Sequence, residues 1–239
     1  MVSTLGVIPA RIASTRFPNK VLAPILGRPM IQHVWDVCRK STLLDDCLVA
    51  TDDDSVMRVV ESFGGRAVMT PSDLPSGTDR VAWAARDLAC EIVINIQGDE
   101  PLLQSTALDA LVRALVASDA DIATLCVKAQ TAIDGENINV VKVTRDASDR
   151  AISFSRHLPF HYHGREFFKH IGVYAFRRST LYRFCSLPMT SSEKIEKLEQ
   201  LRALENGMTI QVVEIDQDTI GVDTPGDIAR VESRMKELR

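Results

Sequence analysis

Short apolar runs alternate with amphipathic stretches from residue 4 to residue 117, and this rhythm leaves few folds open. Residues 4–8, 47–51 (CLVAT), 66–69 and 91–97 (EIVINIQ) have the length and apolar content of buried strands. Between them, 29–40, 54–63 and 78–89 read as helices, and another follows at 105–117. Pro29 suits a helix start, Asp52 to Asp54 offer caps, and Gly64-Gly65 marks an end. Strands and helices in alternation give a mostly parallel sheet covered on both faces. The run 91–97 is the most apolar and reads as central. Ligands bind such sheets beyond the carboxyl ends of the strands, so segments directly following 4–8 and 91–97 share one rim.

Beyond residue 121 the rhythm changes. Residues 121–127, 139–144, 151–156 and 170–177 are strand-like with polar turns between, and 157–169 is aromatic-rich and irregular. The spacing of Ile195, Leu198, Leu201 and Leu204 predicts one helix over 192–205, stopping at Asn206-Gly207. A last strand at 210–215 and a charged helix from Thr224 complete the pattern. Residues 1–120 read as the main core, 121–208 as a smaller lobe with an exposed sheet face, and 209–239 as a return to the core.

The net charge of -4 argues against a general nucleic-acid surface. No run approaches the apolar length of a membrane helix, and the N-terminus lacks the basic start and long apolar stretch of a signal peptide. A cytoplasmic protein without stable membrane association is expected. Five well-separated cysteines with no CxxC pair fit reduced thiols.

Against that acidic background, Arg11, Arg16 and Lys20 gather three cations in ten residues of loop just past the first strand. A phosphate chain needs such cations together with backbone N–H donors, which the loop around Ala13, Ser14 and Thr15 can supply. The glycine spacing and GK[ST] ending of a Walker A loop are absent, and a solvated basic loop is the alternative. Asp99, in Gly-Asp-Glu-Pro, and Asp223, in Gly-Val-Asp-Thr-Pro, each follow a strand. Two carboxylates can hold one Mg²⁺ that also binds phosphate oxygens, although Asp223 also suits a helix N-cap. His157, His161 and His163 lack the neighbours of a zinc site. His170 and Tyr174 share strand parity and can face one side. No GxSxG elbow or Cys-His arrangement suggests a covalent nucleophile.

Several longer motifs carry a resemblance. They are PARIASTRFPNK (9–20), GRPMI (27–31), VATDDD (49–54), SGTDR (76–80) and NIQGDEP (95–101). FSR (154–156), KHIGVYAF (169–176), EKLEQLRALENG (196–207) and GVDTPGDI (221–228) continue the series. In this order the chain resembles the 3-deoxy-manno-octulosonate (Kdo) cytidylyltransferases of the sugar nucleotidyltransferase superfamily. The resemblance implies one nucleotidyltransferase domain over 1–239, Rossmann-like, of the nucleotide-diphospho-sugar transferase type. The smaller mixed α/β lobe would then bind the sugar acid and carry a homodimer interface.

By the same resemblance Arg11, Ser14, Arg16 and Lys20 would surround the triphosphate of CTP, with Pro9 and Ala10 shaping the nucleotide pocket. Ser76, Thr78 and Arg80 would lie at the base and sugar-acid side. Gln97, Arg156, His170, Tyr174, Glu199 and Gln200 would hold the sugar acid, with Arg156 on its C1 carboxylate. Asp99 and Asp223 would bind Mg²⁺ and, with Arg11 and Lys20, serve the chemistry. The implied reaction joins the anomeric hydroxyl of Kdo to the α-phosphorus of CTP and expels diphosphate, as in lipopolysaccharide assembly. Three features depart from the pattern: Asp79 where the relatives carry glutamate, Asn19 where they carry glycine, and a short segment between Arg156 and His170. An 8-amino sugar, or another sugar acid, is the alternative substrate.

Overall fold

The structure is a computed structural model that describes residues 3–12, 17–129, 135–158 and 167–238. Ser14 and Arg16 of the basic loop, His161 and His163, and most of the segment between Arg156 and His170 lie outside the described residues. The chain forms two compact units: Met1–Asp109 with Thr219–Arg239, and Ala110–Asp218.

In the first unit β1 (Thr4–Ala10) is buried along almost its whole length. A short hairpin, β2 (Pro24–Ile25) and β3 (Arg28–Pro29), leads into α1 (Met30–Lys40), whose N-cap is Pro29. Then follow β4 (Asp46–Thr51), α2 (Asp54–Ser62), β5 (Ala67–Met69), α3 (Gly77–Ala85) and β6 (Ile92–Asn95). β1 pairs in parallel with β4 and β6, and β4 pairs in parallel with β5, so the order is β6-β1-β4-β5. Of the three aspartates before α2, Asp53 is the cap, its carboxylate accepting from Ser55 N at 2.7 Å. α3 stops at Ala85, short of the expected residue 89, because the chain tightens into three-residue turns, with Arg86 N donating to Trp83 O and Leu88 N to Ala85 O. α4 (Ser105–Ala117) lies where expected. Its Asp109 accepts from Ser41 Oγ and from the amides of Thr42 and Leu43, closing the connection between α1 and β4.

The second unit has a mixed sheet centred on β7 (Ile122–Ala129). β8 (Lys142–Arg145), β9 (Ala151–Ser155) and β10 (Phe167–Arg177) form an antiparallel series in which β10 also pairs antiparallel with β7. The β10 register shifts between Ile171 and Tyr174, beside Gly172. α5 (Arg178–Ser186), absent from the sequence reading, follows at once. The single helix expected over 192–205 is two: α6 (Ser191–Glu196) and α7 (Gln200–Glu205). The break is Lys197, in the left-handed region at φ 55°, and Ile195, assigned to a buried stripe, is 80% exposed. β11 (Ile210–Glu214) pairs in parallel with β7.

The chain then returns to the first unit with α8 (Pro225–Glu237). Val222 and Val231 join Ile25, Met30 and Leu102 in a buried cluster, against which Phe17, Leu26, Ile220, Ile228 and Met235 pack. Leu26 and Gly27 turn the hairpin with φ of 48° and 78°. Leucine is strained there. Its side chain packs on the cluster, and its amide donates to Glu232 Oε1 on α8 at 2.8 Å.

Candidate functional site

Parallel pairing places the carboxyl ends of β1, β4 and β6 on one edge of the first unit. Arg11, Asp52 and Gln97 follow those ends. Pro9 is half-buried, Ala10 is buried and Arg11 is exposed. A Cβ on Gly98 would lie 3.3 Å from Pro9 O, so glycine lets this turn close on β1. A Cβ on Gly77 would make ordinary contact with the Pro9 ring, which puts the start of α3 at the same edge.

Lys20 opens a 3-10 turn at 20–22. Its predecessor Asn19 sits at φ 58°, ψ 24°, a left-handed conformation that asparagine tolerates better than most side chains. That accounts for Asn19 where the relatives have glycine: the same backbone state is kept by the next-best residue. From this turn Lys20 Nζ donates to Asp99 Oδ2 at 2.5 Å and lies 3.6 Å from Asp223 Oδ1. The two carboxylates come together through the backbone, because Val222 N donates to Asp99 O at 2.9 Å. Asp223 is not the helix cap. Thr224 takes that place, in a capping box with Asp227, whose Oδ2 also accepts from Asp223 N at 3.1 Å. Asp223 is thereby anchored by its backbone while its carboxylate stays available to a cation. Two oxygen donors facing one positive centre suit Mg²⁺, which takes oxygen ligands and fills its remaining positions with water and phosphate.

Ser76, Thr78 and Arg80 reach the same edge with side chains already engaged. Ser76 caps α3 and donates Oγ–H to Asp79 Oδ2 at 2.7 Å. The shorter Asp79 therefore serves the cap. Thr78 is buried and accepts from Asn95 Nδ2 at 3.0 Å. Arg80 is buried too, paired with Asp52 at 2.8 Å and donating to Thr70 Oγ1 and Pro71 O. Its guanidinium ties α3 to the ends of β4 and β5, and so shapes the rim from behind.

Arg156, His170, Tyr174, Glu199 and Gln200 all belong to the second unit. Arg156 follows β9, with its Nε donating to Glu196 O at 2.7 Å and Nη1 to Ile138 O at 3.1 Å. Its carbonyl is held by Lys142, a buried lysine whose ammonium donates to Arg156 O at 2.8 Å and Asn137 O at 2.7 Å. His170 and Tyr174 face the same side with ring centroids 5.5 Å apart. His170 Nε2 donates to Thr124 Oγ1 at 2.9 Å, and that hydroxyl donates to Val173 O. Burial lowers the His170 pKa to about 3, so the ring is neutral at ordinary pH and acts through hydrogen bonds. Burial, aided by the nearby Glu199 carboxylate, pushes the Tyr174 hydroxyl up. Glu199 is the N-cap residue of α7, and Gln200 is its buried first residue.

Three residues were missed in the sequence: Lys142, Glu193 and Arg202, all charged and buried. Thr190-x-x-Glu193 is a capping-box pattern, and it was the available signal for a helix start at 191. Among the described residues no group of three or more His, Cys, Asp or Glu could hold a metal. No described helix is long and apolar enough to cross a membrane.

Comparison with known proteins gives consistent results. A family model described as Cytidylyltransferase matches residues 5–210. A 3-deoxy-manno-octulosonate cytidylyltransferase of Geobacter sulfurreducens is 44% identical, over 97% of this chain and 98% of its own. One from Solibacter usitatus is 46% identical, over 97% of this chain and 94% of its own. Among solved structures, a CMP:2-keto-3-deoxy-manno-octonic acid synthetase complexed with CTP superposes with a TM-score of 0.93 at 36% identity, covering 99% of this chain and all of that one.

Proposed function

The chain belongs to the 3-deoxy-manno-octulosonate cytidylyltransferase family, and from that membership we infer that it transfers CMP from CTP to the anomeric hydroxyl of Kdo, for lipopolysaccharide biosynthesis. The hydroxyl oxygen forms a bond to the α-phosphorus, the bond to the β-phosphate bridge breaks, and diphosphate leaves. The hydroxyl proton passes to solvent. The observation that carries the reading is the meeting of Lys20, Asp99 and Asp223 at the carboxyl edge of a parallel sheet.

Arg11 and Lys20, with Ser14 and Arg16, supply positive charge and donors to the triphosphate. Such groups stabilise the charge that builds on the phosphates during transfer. Asp99 and Asp223 would hold Mg²⁺, which supplies further neutralisation of phosphate charge. Pro9 and Ala10 border the nucleotide, and Ser76, Thr78 and Arg80 set the α3 end of its pocket. Arg156 meets the sugar-acid carboxylate, with Gln97, His170, Tyr174, Glu199 and Gln200 reading its hydroxyls. Holding two substrates in register contributes much of the remaining acceleration.

All five cysteines are free, which suits the reducing cytoplasm. We also propose a homodimer through the second unit, where Ile138, Ile152 and Ile195 are exposed and β9 pairs only with β8. The test of function is diphosphate release from CTP and Mg²⁺ with Kdo and 8-amino-Kdo offered in parallel. Release with Kdo is expected, and Asp99→Asn should lower kcat by roughly 100-fold or more. Preference for the amino sugar would move the substrate. No release with either sugar, from protein that still binds CTP, would overturn the assignment.

A further inference from the structure

The second unit contains an ion pair that the reaction itself does not call for. Glu193 on α6 and Arg202 on α7 are 5% and 7% exposed. Arg202 Nη2 donates to Glu193 Oε1 at 2.6 Å and Nε to Oε2 at 2.9 Å, a two-pronged contact. Arg202 Nη1 also reaches Leu187 O, and the guanidinium lies 4.6 Å over the Phe184 ring. Burying two charges is costly, and well-packed apolar residues often give equal or greater stability. What an ion pair adds is direction, since two parallel N–H···O bonds fix one relative placement of the elements that carry them.

The elements it fixes flank the sugar-acid residues. The same two residues also clamp the elbow between α6 and α7 through the backbone: Lys197 N donates to Glu193 O at 2.8 Å, and Arg202 N donates to Glu199 O at 3.0 Å. Within that elbow lie Glu199 and, at the first position of α7, Gln200. At the far end of α6, Glu196 receives Arg156: its carbonyl accepts from Arg156 Nε, and its carboxylate accepts from Arg156 N at 3.1 Å. α6 is thus bonded to Arg156 on one side and to the Glu199–Gln200 elbow on the other.

We propose that the Glu193–Arg202 pair positions the sugar-acid site, setting the Glu199–Gln200 elbow relative to Arg156 through α6, and so governs affinity for the sugar acid and not for the nucleotide. Both are positioning residues, since neither needs to touch substrate. The inference rests on the Kdo reading above.

The test compares wild type, Glu193→Asp and the apolar double variant Glu193→Leu/Arg202→Met by diphosphate release, with CTP binding and Tm measured alongside. The double variant should keep Tm and CTP affinity, while its KM for Kdo rises about tenfold or more and kcat at saturating sugar changes by less than about threefold. Glu193→Asp keeps the charge but shortens the arm, and should raise the Kdo KM with the nucleotide KM held within about twofold. Should the double variant fail to fold, Glu193→Asp decides alone. Wild-type Kdo KM in a folded variant, or equal shifts in both KM values, overturns the positioning role. A wild type that binds CTP yet releases no diphosphate with Kdo would instead overturn the functional reading on which the role rests.

Discussion

Asn19 shows how much one backbone state can carry. Its left-handed conformation turns the chain so that Lys20 meets Asp99 and Asp223. Asn19→Gly should leave stability unchanged, whereas Asn19→Ala should cost about 1 kcal/mol, a Tm fall of roughly 2–4 °C. A thermal melt of both variants checks it. His170 makes a second prediction at this scale. Its folded pKa, about 3, lies below the ordinary 6.5, so between those values the unfolded chain binds the extra proton. Its contribution is whole above pH 6.5 and shrinks as pH falls, by about 2 kcal/mol at pH 5. Wild type should therefore lose more stability than His170→Gln between neutral pH and pH 5 in denaturant titrations. Lys20, Asp99 and Asp223 were legible in the sequence because parallel strands deliver whatever follows them to one edge. Glu193 and Arg202 were not, since a charge in a polar segment looks the same whether it faces water or a partner.

The strand–helix alternation up to residue 117 was readable for a simple physical reason: strands buried on both faces must be apolar throughout, and their helices must be amphipathic. The α6–α7 elbow was not readable. Four apolar residues at helical spacing suggested one helix, and the left-handed break falls on Lys197, where neither glycine nor asparagine announces it. α5 was hidden by a run of polar and aromatic residues with weak periodicity. Among the helices, α8 has an effect beyond its own length, because its Val231 seals the cluster shared with Val222 and the β2–β3 hairpin. Val231→Ala should cost about 1–3 kcal/mol through lost burial and the cavity left behind. Differential scanning calorimetry would show it as a lowered Tm.

For the whole molecule, the exposed isoleucines of the second unit bear on assembly. Ile152, 60% exposed, lies on β9, whose outer edge is unpaired in this chain. Long-standing exposure of such residues beside an open strand edge invites a partner. Light scattering should give twice the chain mass for wild type, and Ile152→Asp with Ile195→Asp should shift the population to monomer. A monomeric wild type would sink the proposed dimer.

The first unit is discontinuous, and this has a consequence for how the protein is made. Asp99 and the sheet around it are synthesised before the second unit begins, whereas Asp223, Val222 and Val231 come only after it ends. At roughly 5–20 residues per second, the ribosome needs on the order of ten seconds to make the intervening stretch. Throughout that interval the early strands wait with Ile25, Met30 and Leu102 uncovered by α8. The nascent chain therefore carries an unfinished apolar surface until late in translation, a window in which a chaperone has something to hold.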